Sequence, residues 1–181
     1  NLDHNDTVAD SPTDNFCVFN PLKKHANTVF SDGNLKVSST DTGSAYCQFS
    51  TIVMPSGKYY AEFTINTASG NYPNIGIGDL VVSENVNQGL GDISGGAAYQ
   101  ADGRVRVNGS TIGTFPTFTV GDVISVAYDA DNNRVYFGKN ATWINSGDPT
   151  SGTGYFSPAA PVQGYVFASS TYSVGSFTAN F

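Results

Sequence analysis

The side chains of this sequence that could act on a substrate are 13 Asp, 2 Glu, 2 His and 2 Cys, and their spacing points away from catalysis. Cleavage of a glycosidic bond needs two carboxylates flanking it, about 5–10 Å apart. On one face of a strand that means acids two or four positions apart. Glu62 is followed on its own face by Thr64 and Asn66, and Glu84 stands alone in a loop-like stretch. A pair built from Asp residues on separate loops stays open, with nothing in the spacing to favour it. His4 and His25 have no surrounding motif that would recruit Ser or Cys as a nucleophile, and both read as solvated surface residues. No enzyme activity is expected.

Metal chemistry fares no better. The two Cys and two His lack zinc-ligand spacing. Asp129-Ala130-Asp131-Asn132-Asn133 has the texture of a calcium loop, but the glycine at its sixth position and the acid at its twelfth are absent. It reads as a turn, because Asx residues cap such turns and tolerate their left-handed backbone. A calcium ion held by Asp79, Asp92 or Asp102 is the weaker alternative, and no metal or cofactor is expected. Cys17 and Cys47 fall in different strands of the pattern. They would pair if those strands were neighbours, or lie as two buried thiols; sequence supplies no disulfide geometry.

What remains is binding. Aromatic rings at loop tips among amides suit sugars, since a ring stacks on the apolar face of a pyranose while Asn and Asp bond its hydroxyls. The candidates are Tyr72 with Asn74, Tyr99 with Gln100 and Asp102, and Trp143, the single Trp. Tyr72, flanked by polar residues and Pro73, is expected to be the exposed ring. Trp143 reads first as packing for its own loop.

The elements that must position these residues are strands. With 12 Phe, 10 Tyr and 20 Gly in 181 residues, and Asn, Ser and Thr between short apolar runs, the chain favours pleated strands and tight turns. No stretch of helical period is long enough for a stable helix. In Gly57–Ile65, alternation puts Tyr59, Ala61, Phe63 and Ile65 on one face and Tyr60, Glu62 and Thr64 on the other. Strands are expected at 16–19, 27–30, 34–38, 45–53 and 74–78. Hairpins follow at 97–109, around Asp102-Gly103, and at 122–138, around 129–133. Residues 80–98 read as loop, and 140–163 as a long excursion carrying Trp143. The last stretch, 164–181, reads as two strands broken at Ser169-Ser170. Residues 1–15 are polar and Asp-rich, an extended arm or linker before a domain at 16–181. The net charge of −7 and the lack of a basic cluster leave little to hold nucleic acid or anionic membrane. No leader or membrane-spanning run is apparent, and the opening without Met fits a fragment or a processed product.

The order of motifs resembles the SPRY domain family: GKYYAEFTI, NIGIG, AYQADGRVRVNG, FTVGDVISVAYDADNNRVYFGKNATW and GYVFASSTYSVGSFTANF. Gly121–Asn140 is the most specific part. The resemblance covers residues 16–181 and implies an all-β, concanavalin-like sandwich of two antiparallel sheets with little or no α-helix. Ala61 stands where the family usually carries Trp, and the peptide-binding loop of animal members has no recognisable counterpart. The phrases DSPTDNF, FNPL, SDGNLKVSS and GKNATWINSGDPTSG are similar to SPRY-like modules of tailed-bacteriophage structural proteins. That likeness implies a virion-surface module (tail fibre, spike or head decoration) that engages a cell-surface glycan or a neighbouring virion protein. Open sheet edges and an arm are compatible with a homotrimer. A purely structural decoration domain, or a polysaccharide-degrading enzyme on the same scaffold, are the alternatives. The sequons at Asn108 and Asn140 carry no weight in a phage protein.

Overall fold

The structure, a computed structural model, describes residues 15–39, 43–70, 72–82, 87–172 and 175–181. In chain order the strands are β1 (Thr28–Ser31), β2 (Lys36–Ser39), β3 (Tyr46–Phe49), β4 (Lys58–Thr67), β5 (Asn74–Asp79), β6 (Gly96–Gln100) and β7 (Arg104–Val107). They continue as β8 (Ser110–Thr114), β9 (Val123–Asp129), β10 (Arg134–Lys139), β11 (Thr142–Trp143), β12 (Tyr165–Thr171) and β13 (Ser176–Asn180). A single 3₁₀ turn spans Leu90–Asp92, and the described residues contain no α-helix. One sheet runs β1-β2-β13-β4-β9-β10-β11 and the other β3-β12-β5-β6-β7-β8, every ladder antiparallel.

The sheets meet through their alternating apolar faces. Ala61, Phe63 and Ile65 of β4 and Ile124, Val126 and Tyr128 of β9 face Ile75, Ile77, Ala97, Tyr99 and Phe167 of the other sheet. The rings of Phe19, Phe63, Phe177 and Phe181 interlock at 5.3–6.1 Å in edge-on pairs, the geometry aromatic quadrupoles prefer. The six-stranded sheet is also covered on its outside. Cys47, Phe49, Ala98, Val166 and Ala168 pack there under Val82, Leu90 and Ile93. Burial on both faces explains why β5, β6 and β12 read as continuous small and apolar runs. Gly78 belongs to that packing, since a methyl group there would lie 2.8 Å from the Phe49 ring.

The all-β sandwich and both expected hairpins are present. Several expected details change. Residues 16–19 make only a bridge, Phe19 to Ser50, because Phe19 alone of that stretch is buried in the core while Phe16 is exposed. β12 runs unbroken through Ser169 and Ser170, which pair with both β3 and β5, and the chain crosses to the other sheet only after Thr171. Asn108-Gly109, both at positive φ, turn the chain into β8, an edge strand not expected from the pattern. Cys17 and Cys47 are free thiols, the first half-buried and the second buried. His25 is stacked on the Tyr46 ring at 3.4 Å rather than solvated. The arm up to residue 14, His4 and Glu84 lie outside the described residues.

Candidate functional site

Alternation that sends Ile75, Ile77, Ala97 and Tyr99 into the core turns Asn74, Ala98 and Gln100 to the opposite face. The register sets Ser170 beside Asn74 and Asn74 beside Gln100. The three make a polar row across β12, β5 and β6 on the outside of the six-stranded sheet, each 0% exposed. The segment leading into the 3₁₀ turn lies over them. Leu90 N–H donates to Ser170 Oγ at 2.9 Å, and the Cys47 thiol sits 3.9 Å from the Gln88 carbonyl. Gly89 permits this approach. A methyl group added there would lie 2.5 Å from Asn74 Nδ2, 2.7 Å from Asp92 Oδ2 and 3.1 Å from the Tyr72 hydroxyl. An amide, a carboxylate and a phenol therefore converge on one α-carbon.

Ser170 accepts the Leu90 N–H. Asn74 and Gln100 are different: among the described residues neither the oxygen nor the nitrogen of either side-chain amide has a hydrogen-bond partner. Native interiors hold few such atoms. Each unsatisfied group costs about 1–3 kcal/mol. Two neighbouring ones mark a place where stability is given up. Charge and rings border the row. Arg106 Nε stands 2.8 Å from Asp92 Oδ1, close enough for an ion pair but not aligned as a hydrogen bond. Tyr72 and Tyr172 lie with ring centroids 5.3 Å apart. Burial, and then the Asp92 charge, push the Tyr72 phenol up to about 12, so it remains a hydrogen-bond donor at any physiological pH.

The SPRY domain family model matches residues 58–175, well over half of the chain. The chain belongs to the SPRY family. Its fold is similar to the crystal structure of the SPRY domain of human HERC1, with a TM-score of 0.70 at 19% identity over 89% of this chain and 96% of that one. It is also similar to a human SPRY domain (TM-score 0.66, 18% identity, 85% and 94% covered) and to the TRIM65 PSpry domain (0.65, 11%, 91% and 92%). No curated protein matches the sequence. SPRY domains are generally protein–protein interaction modules and typically non-enzymatic.

Within this SPRY domain the six candidate residues separate. Tyr72, Asn74 and Gln100 come together at the polar row, but Tyr72 is 8% exposed rather than the open ring expected, because its hydroxyl turns in toward Gly89 and its ring meets Tyr172. Tyr99 is wholly in the core; its hydroxyl donates to the Pro116 carbonyl and its ring packs on Phe118 and Phe137. Parity places Tyr99 and Gln100 on opposite faces, so they cannot share a ligand. Asp102 ties the β6–β7 turn, accepting from Arg104 Nε at 2.7 Å. Trp143 is half-buried on the other sheet, edge-on to Tyr60 and Tyr136. The proposed calcium carboxylates are employed separately: Asp79 accepts the Val162 and Gln163 N–H groups, Asp92 faces Arg106 and Asp102 binds Arg104. Among the described residues no three His, Cys, Asp or Glu stand together. The sequence reading missed Gly89 and Arg106, named Asp92 only as a calcium candidate, and placed Ser170 only at a strand break. The spacing of Gly89-Leu90-Gly91-Asp92 was the available signal, two glycines where backbone must approach closely.

Proposed function

We propose that this SPRY domain is a docking module that holds a polypeptide segment of a partner protein at the Asn74–Gln100 row. The observation that carries the reading is the pair of buried amides with no partners. A primary amide both donates and accepts, and an extended peptide backbone offers N–H and C=O groups in alternation, which is the matching pattern. The partner displaces the segment at Gln88–Gly89, completes the two amides, and packs against the Tyr72–Tyr172 pair. Arg106 and Asp92 supply charges for selectivity at the margin. Gain of those hydrogen bonds offsets the ordering cost of the bound segment. The likeness of GKNATWINSGDPTSG and its companion phrases to modules of tailed-bacteriophage proteins supports a partner among neighbouring virion proteins, with the domain on the particle surface.

Selection of linear peptides from a random library on the immobilised domain tests this. Recovered peptides, resynthesised, are expected to bind the wild type and to lose binding to Gln100→Met and Tyr72→Ala while retaining it for Tyr60→Ala on the opposite sheet. Failure to enrich any peptide, or binding indifferent to Gln100→Met, contradicts the assignment.

A further inference from the structure

We propose that the outer face of the seven-stranded sheet carries a second, separate binding site: a trough beside the Tyr60–Trp143 ring pair that takes a neutral pyranose unit of a saccharide. The register builds it. Tyr60 pairs with Ala127 and Ala127 with Tyr136, while Glu62 pairs with Ser125, Ser125 with Gly138 and Gly138 with Trp143. Small residues, Ala127 and Ser125 of β9 and Gly138 of β10, thus lie in the two strands between Tyr60 and Trp143, and the two rings lean over them until edge meets face. Gly138 is needed for that shape, since a methyl group there would lie 3.1 Å from the Trp143 ring and 3.3 Å from Ser125 Cβ. The two rings stand 6.2 Å apart at 76°, so they present one wall and one platform. Tyr60 is 49% exposed, unusual for a ring in the middle of a sheet with its neighbours covered. Lys58, Asp148 and Thr150 close one end, leaving a cavity of about 260 Å³. That is below the span of drug-sized pockets, and suits one ring.

The polar groups decide the occupant. Tyr60 hydroxyl donates to Glu62 Oε1 at 2.6 Å and lies 3.1 Å from Ser125 Oγ, which fixes the ring in place. Among the described residues the second Glu62 oxygen and the Trp143 indole N–H make no hydrogen bond. At the closed end Asp148 Oδ1 accepts from the Thr150 N–H at 2.8 Å and hydroxyl at 2.6 Å, holding the carboxylate at the rim. Carboxylates accept and cannot donate, so they call for a ligand rich in O–H donors. Sugar hydroxyls are such donors, and the C–H face of a pyranose covers an aromatic ring. A proline-rich peptide, the other ligand that aromatic grooves take, offers carbonyl acceptors and few N–H groups, leaving both carboxylates unmatched. An anionic sugar would meet two carboxylates against one ammonium, on a chain of net charge −7.

The chain has one Trp, so its intrinsic emission reports on this trough alone. Cellopentaose, xylopentaose, mannopentaose, galactotetraose and chitopentaose are each titrated into the intact domain, alongside a decaproline peptide and a uronic-acid oligomer. A saturable emission change with at least one neutral oligosaccharide is expected. Tyr60→Ala weakens it roughly tenfold, the worth of one stacked ring, and Trp143→Ala abolishes binding by calorimetry. Tyr60→Phe, which keeps the ring, should retain most of the affinity and guards against a folding defect. Gln100→Met leaves it unchanged, which separates this site from the peptide site. No response to any neutral saccharide, a response to decaproline or the uronic acid alone, or equal affinity in Tyr60→Ala overturns the proposal.

Discussion

Replacing Gln100 by Met should make the domain more stable while removing its ability to hold a peptide. Gln100 is wholly buried, and both polar atoms of its amide lack partners. Relieving an unsatisfied buried group is worth about 1–3 kcal/mol. Met has nearly the same length and volume, and such swaps cost less than about 1.5 kcal/mol in packing. The balance is a gain of about 1 kcal/mol, which for a domain of this size raises the melting midpoint by about 2–4 °C. Asn74→Leu acts the same way, and the two are neighbours across β5 and β6, so their effects should not simply add. Urea unfolding of the wild type, both single variants and the double variant measures the gain directly. A fall of the melting midpoint by more than about 2 °C in Gln100→Met would mean that the amide already has partners that the substitution removes.

Other consequences are open to direct measurement. Gly76→Ala places a methyl group into the Ala97 backbone carbonyl of the adjoining strand, so the variant is expected to fail to fold or to lose at least about 3 kcal/mol, read by urea unfolding. Gly89→Ala, at an extended backbone that any residue adopts, should fold but push segment 88–90 off the row, detected as faster amide exchange at Leu90. Burial alone would raise the Asp122 carboxyl, but hydrogen bonds from Thr119 N–H, Asn140 and Lys139 outweigh it and hold it below its ordinary value. Its contribution is then full above about pH 4 and is lost as pH falls through the lowered value, so Asp122→Asn should flatten the acid side of the stability curve. Burial pushes the Cys47 thiol up to about 12, so Ellman's reagent should modify it only after denaturation, whereas Cys17 should react slowly in the native protein.

Much of the scaffold could be read from residue order, for physical reasons. The alternation of Gly57–Ile65 matches its burial pattern, and Asp102-Gly103 and 129–133 turn where their φ tolerance suggests. Positions decided by neighbours were not legible. The polar flanks of Tyr72 suggest an open ring, yet Tyr172, about a hundred positions away, covers it. The amides of Asn74 and Gln100 suggest a surface ligand, but only the register shows that they touch one row and that Gly89 lies over it. Tyr99 belongs to the core for a reason the sequence already holds, since its parity with Ala97 and Ala101 assigns it there. The Tyr60–Trp143 trough needs four strands, β4, β9, β10 and β11, in correct register, which no local pattern specifies.

If this SPRY domain meets its partner at the two unpaired amides under Gly89, a bound peptide must perturb both. Side-chain NH₂ resonances of Asn74 and Gln100, followed by ¹H–¹⁵N spectra as a library-selected peptide is added, test it most directly. These two pairs are expected to shift first and become protected from exchange, with Leu90 following as its bond to Ser170 opens. Shifts confined to the edge strands β1 and β8, with both amides unmoved at saturation, would contradict it.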